Sequence, residues 1–329
     1  MARGPSLETS LLQLAEIRQR AVDAEDARAL QRFLQRGPGP AVSAAAAIVA
    51  EQRLEDFEPM LVAAFDRLRE RPVQRDPGCL GKAAIAEALH EMAAATADLY
   101  LTGVCTQQLE PVWGGQQDTA MTLRSACGRG LVSMRHPDAL LYLADALADP
   151  EAPVRLSAAQ SLAYHGAETG LPVLRLKVLS GDTEVQVLGE CMLAMLRIDT
   201  ASSVAFVGQQ LQHVAPERRE VAALALGESR VEDALAHLVG WLPEARSTGQ
   251  AEAALLSIAM LRNDAAMSFL LDQIASQPGP EAREALTAIG IHQRDATLRE
   301  RVEEAAQRAE VDLSRDLEAI FPPPAGSSQ

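Results

Sequence analysis

The chain has 329 residues, of which 48% are hydrophobic but only 3% aromatic, and it carries a net charge of −15. Small side chains let helices approach closely, so this composition suits thin helical layers rather than a sheet core; no segment alternates Val, Ile, Tyr and Thr as strands do. An acidic surface repels phosphate backbones, which excludes nucleic acid as the main expected ligand, and no stretch reaches the ~20 uninterrupted apolar residues of a membrane span.

In chain order, two helices are expected at 6–21 and 24–36, with Ser6 as an N-cap. They form an N-terminal cap over 1–40, which Gly37-Pro38-Gly39-Pro40 separates from the rest of the chain. A hydrophobic column then returns through Leu131, Leu162, Leu193, Leu226, Ile258 and Ile289, in steps of 31, 31, 33, 32 and 31 residues. A second column runs in parallel through Leu140, Leu171, Val204, Leu235, Met267 and Leu298. Two registers with one period imply a two-helix unit copied in tandem. Eight pairs fit, at 41–70, 78–109, 118–148, 151–180, 183–212, 215–244, 248–276 and 280–308. The first column extends back to Leu89 and Ile48 by steps of 42 and 41, which places insertions near 69–78 and 110–117. A short helix near 310–320 closes the array, and a disordered tail is expected from Phe321 onward, so that 309–329 forms the C-terminal cap and tail. The expected fold is all-α, an α-solenoid whose second helices line the inner curve.

The segment Asp149-Pro-Glu-Ala-Pro-Val-Arg155-Leu-Ser-Ala158-Ala159 resembles the short HEAT-like repeat of the bilin-lyase type. Its Asp-to-basic spacing recurs as Asp76/Lys82, Asp118/Arg124 and Asp149/Arg155, while Gln186, Arg219 and Ala251 stand in the basic column of later repeats. The resemblance implies a ladder in which these residues tie one repeat to the next. An Asp at a helix start can cap free N–H groups, and a cation further along can reach a neighbouring acceptor.

Catalytic signatures are sparse. A HEAT-like di-iron hydroxylase, deoxyhypusine hydroxylase, uses several His-Glu pairs, and here His90-Glu91 alone has that form. His165 and His292 lie four repeats apart, too far to share one ion, while His136, His213 and His237 lack a ligand partner at i+3 or i+4. HEAT-like DNA glycosylases need a basic, aromatic groove, which this composition does not offer. Gly128-Arg-Gly130 sits in mid-helix without a following Lys-Ser/Thr and is no phosphate loop. The four cysteines form no CxxC pair; Cys127 and Cys191 read as buried small hydrophobes. No metal or cofactor is expected.

One segment departs from the repeat in composition. Between Tyr100 and Arg135 lie Gln107, Trp113, Gly114-Gly115, Gln116 and Arg129. A Trp on a Gly-Gly loop beside Gln and Arg is the composition of an interface anchor, so Tyr100, Gln107, Trp113, Gln116, Arg129 and Arg135 form the candidate protein-binding set. The competing reading makes Trp113 a plug that fills the gap left by the insertion. The expected function is a non-catalytic scaffold or adaptor that is cytoplasmic, monomeric on its own and binds a protein or peptide. The alternative is an enzyme or accessory subunit of the bilin-lyase or hydroxylase type.

Overall fold

The computed structural model describes residues 6–322, and within them the chain is almost wholly helical. It divides into two compact units, Met1–His165 and Gly166–Gln329.

The first unit holds α1 (Leu7–Arg18), α2 (Ala24–Arg36), α3 (Gly39–Glu51), α4 (Glu58–Arg69), the single turn α5 (Pro72–Arg75), α6 (Leu80–Glu91) and α7 (Ala97–Val104). A hairpin comes next, β1 (Leu109–Val112) and β2 (Gly115–Asp118), and then α8 (Met121–Ser133), α9 (Ala139–Ala146) and α10 (Ala152–His165). Helices α3, α6, α8 and α10 pack one on the next, and α1 and α2 lie on α3 and α4 in the same manner. Ser6 caps α1 through the Thr9 amide, and Asp23 caps α2 in a reciprocal box with Asp26.

The second unit runs through α11 (Leu171–Ser180), α12 (Val185–Ile198), α13 (Thr200–Gln210), α14 (Pro216–Ser229), α15 (Ala234–Ser247), α16 (Ala251–Met260), α17 (Asp264–Ser276), α18 (Gly279–Ile289), α19 (Ala296–Arg308) and α20 (Ser314–Ile320). Here α12, α14, α16 and α18 pack in sequence, and α20 takes the next place against α18. Phe321, expected to begin a disordered tail, is instead buried, and the Pro322 carbonyl accepts a 2.6 Å bond from Arg299 Nη1. An aromatic ring at the end of a short amphipathic turn gains more from burial than the chain loses in ordering it. The rest of the expected tail, 323–329, lies outside the described residues.

The first apolar column is buried at every member from Ile48 to Ile289. The second column is buried at Val204, Met267 and Leu298 but needs a correction at Leu140, Leu171 and Leu235, which are half-buried; the more enclosed line lies three residues on, at Leu143, Leu174, Val207, Leu238 and Leu270. Residues at i and i+3 share a helix face, so both lines repeat with one period, and periodicity alone does not say which is deeper. Leu141, in the same stripe, is exposed.

The turn inside six of the pairs repeats too. Arg53, Ala93 and Arg135 in the first unit, and Gly166, Arg230 and Arg262 in the second, come after their helix with φ between 51 and 70°. The amides of Arg53 and Leu54 bond back to Ala50 and Val49, a pattern repeated at Ala93 and Ala94 and at Arg135 and His136. This is the left-handed closure of a helix end, which glycine adopts freely and which costs any other residue of order 1–2 kcal/mol.

The corrected register makes a sharp distinction. Leu238→Ala should lower stability by about 2–4 kcal/mol, whereas Leu235→Ala, one turn earlier on the same helix, should cost about 1–2. Chemical denaturation of both variants tests it, and equal losses would mean that the deeper line has been misplaced.

Candidate functional site

The insertion at 110–117, expected as a loop, is a two-stranded antiparallel hairpin in which Val112 faces Gly115 across the two-residue turn Trp113-Gly114. The strand rule missed it because four-residue strands are too short for alternation to register. Gly114 holds φ at 91°, so a side chain there would strain the turn even though the space around it is open. The turn delivers Trp113 into solvent at 105% relative exposure, while the other tryptophan, Trp241, is 1% exposed. Leu109 and Val112 on the same hairpin are exposed as well.

The base of the hairpin is held by a connected polar network. Glu110 Oε1 accepts from the Gly78 amide (2.7 Å), Gln108 Nε2 (2.6 Å) and Thr119 Oγ1 (2.9 Å). Gln108 Nε2 also donates to the Asp76 carbonyl, and Gln108 Oε1 accepts from Lys82 Nζ at 2.8 Å. Lys82 is fully buried and pairs with Asp76 Oδ2 at 2.8 Å, while Asp76 itself caps the start of α6 through the Gly81 and Lys82 amides. A buried ammonium with two acceptors and a buried carboxylate with three donors satisfy each other, as a low-dielectric setting requires.

The next rung is Arg124. Its Nη1 meets Asp118 Oδ2 at 2.6 Å and the Thr106 carbonyl at 3.0 Å, while Nε and Nη2 grip Asp149 in a two-pronged pair at 2.7 and 2.9 Å. Asp118 also accepts from the Gln108 and Ala120 amides, so one carboxylate fixes both the start of the hairpin and the approach to α8. In the following repeat Arg155 donates to the Asp149 and Pro150 carbonyls at 2.8 Å. The ladder implied by the Asp-to-basic spacing is therefore present in the first unit. In the second unit other residues serve: Gln250 bonds the Pro216 carbonyl and Glu220, and Arg219 reaches Glu244 within its own pair.

Burial opposes ionisation of Glu110, but hydrogen bonds from Gln108, Gly78 and Thr119 and the charge of Lys82 outweigh it and hold the carboxyl below its usual range. Asp118 is lowered in the same way, burial being offset by the Gln108 and Ala120 amides and by Arg124. The Cys79 thiol, buried beside this network, is pushed up to about 12 by burial and is a poor nucleophile.

The expected binding residues separate. Gln107, Trp113 and Gln116 are exposed on the hairpin and its approach. Trp113 does not plug the array, because its ring has no interior to fill once the network below has closed the gap. Tyr100 is a correction: it is 1% exposed, with its ring against Gly130, where an added Cβ would come within 2.5 Å of the ring. The Gly128-Arg-Gly130 step thus makes room for an aromatic side chain, and burial raises the Tyr100 phenol above its ordinary range. Arg129 is half-buried and ion-paired with Glu87, and Arg135 lies past the far end of α8, about 20 Å along the helix from the hairpin base. Sequence reading missed Gln108, Glu110 and Thr119, whose roles rest on contacts to one another and, for Gln108 and Glu110, to Asp76, Gly78 and Lys82 some thirty positions back.

No protein-family model matches this chain, and no curated protein matches it. Among the described residues, no three His, Cys, Asp or Glu side chains come together as a metal-ligand set, and no helix is long and apolar enough to cross a membrane.

The two lowered carboxyls set a pH dependence. Their contribution is complete above the ordinary carboxylate range and is lost as pH falls through their lower folded values, so the hairpin base should loosen as pH drops below that range, under about pH 4. Hydrogen exchange at the Gly78 and Ala120 amides should speed up in that window. In the Glu110→Gln/Asp118→Asn double variant the acid-dependent rise should largely vanish; an unchanged profile would place its origin elsewhere.

Proposed function

We propose that this chain is a HEAT-like stack of helix pairs that acts as a non-catalytic scaffold or adaptor, with the Trp113 hairpin as an anchor for a protein partner. The single observation that carries this reading is a fully exposed tryptophan on a short turn whose base is locked by buried charges. Exposed indole is costly in water and is repaid when a partner covers it; a rigid base means that little conformational freedom is lost on binding. Leu109 and Val112 extend the apolar tip, and Gln107 and Gln116 supply the polar rim such anchors carry. The HEAT-like reading draws support from helix pairs, six of which recur with a 31–33-residue period, from first helices that pack one on the next within each unit, and from the Asp–cation ladder.

Trp113→Ala is the direct test. Its melting temperature should match the wild type within about 2 °C, because the side chain touches no core, while affinity for the native partner should fall by ~2 kcal/mol or more, about thirtyfold. Partners recovered with the wild-type chain would be titrated against both proteins by calorimetry. Equal affinity for the two would remove the hairpin from the interface.

A further inference from the structure

The second unit carries a row of arginines that the hairpin does not use. Arg230, Arg262 and Arg294 lie in the turns that come after α14, α16 and α18, each 32 residues after the last. Because those helices pack in sequence, the three turns lie along one edge, one helix layer or about 8–10 Å apart. All three side chains are exposed, and among the described residues none is ion-paired. In the same unit Arg197, Arg219, Arg283 and Arg299 do pair, with Glu228, Glu244, Asp316 and Glu303.

Arg230 and Arg262 close their helices with φ at 55 and 57°, the same turn that Arg53, Ala93 and Arg135 make in the first unit and that Gly166 makes after α10. Attraction between a cation and a helix C-terminus favours a basic residue near these positions. It does not require one in the left-handed region, and it leaves out Arg294, which stands just before α19. Between the last two turns lies a hollow of about 990 Å³, with Arg262, Arg294 and Arg301 around it and Met267 and Ile291 as apolar lining. Asp264 and Asp295 also line it, but Asp295 is engaged in capping the Leu298 amide.

We infer that this edge docks an extended acidic peptide segment. An extended chain advances about 3.3 Å per residue, so carboxylates at every third position recur at about 10 Å and meet successive guanidinium groups, each able to form a two-pronged pair. A nucleic acid strand carries a phosphate on every nucleotide, and the surplus would face Asp264 and Asp295; the acidic surface around the row opposes it further. The row shares no residue with the hairpin, so its success or failure leaves the reading of Trp113 untouched.

The test uses the full chain and a fluorescein-labelled (Glu-Ser-Ser)4 peptide, with (Gln-Ser-Ser)4 and a twelve-nucleotide oligo-dT as comparisons. The Glu peptide should bind in a salt-sensitive manner, more tightly than either comparison. Affinity should drop about tenfold or more in Arg230→Gly/Arg262→Gly/Arg294→Ala and stay unchanged in Trp113→Ala. Glycine relieves the strained turns, so the triple variant folds, and circular dichroism confirms it. No binding of the Glu peptide, equal binding of the Gln peptide, undiminished binding by the triple variant, or tighter binding of the oligonucleotide would each overturn the proposal.

Discussion

The first unit depends on a buried chain of charges that runs from Asp76 and Lys82 through Gln108 and Glu110 to Asp118, Arg124 and Asp149. Taking such groups out of water costs several kcal/mol per ion, and their mutual attraction repays it only when every lone pair and proton is satisfied. Here each ion has at least two partners, and Asp76 and Asp118 each accept from two backbone amides as well as from a cation. The net gain in stability is small by this reasoning; the gain in specificity is larger. Apolar columns let one helix layer slide by a turn against the next, since i and i+3 present similar faces. A two-pronged Arg124–Asp149 pair permits a single register, because a shift of one turn would bury two unpaired charges.

That same network explains why the hairpin can exist. An isolated two-stranded ribbon is marginal in water, and this one has four-residue strands with an exposed, apolar tip. Its stability is borrowed from Glu110, whose carboxylate ties the ribbon to the Gly78 amide, and from Asp118, which ends the second strand and leads into α8. The result is a stiff projection on a rigid base, with the tip left free of internal duties. Removing Lys82 would leave Asp76 charged and buried without a cation, so damage there would reach the hairpin through Gln108 rather than through any direct contact with Trp113.

How much of this is legible in the sequence depends on the range of each interaction. The 31–33-residue columns record local burial, repeated from pair to pair, and they mark where the helices of each pair lie. Depth is less legible: Leu140 and Leu143 carry the same period, and only packing distinguishes the enclosed line. The ladder can be read because Asp and cation sit six residues apart on one helix start. Tyr100 cannot be placed, since its burial depends on the missing side chain at Gly130, thirty residues on. Gln108 and Glu110 are opaque for the same reason, their partners at residues 76 to 82 lying some thirty positions back, at the approach to α6.

The two tryptophans show what composition alone leaves open. Trp241 sits within α15 among Leu238, Leu242 and Ala245, a stripe that predicts burial, and it is buried. Trp113 has glycines after it and a proline two residues before, so nothing local offers it a face to pack on. A side chain this large stays exposed in a well-ordered chain only when the backbone holds it there. At Trp113 the Gly114 turn and the Glu110 anchor do so together, and neither would be needed for a loop whose task was to connect α7 to α8. A plain connection between neighbouring helices takes a few residues; the extra length here builds a projection with a locked base, and that geometry is the physical ground of the proposal that the hairpin meets a partner.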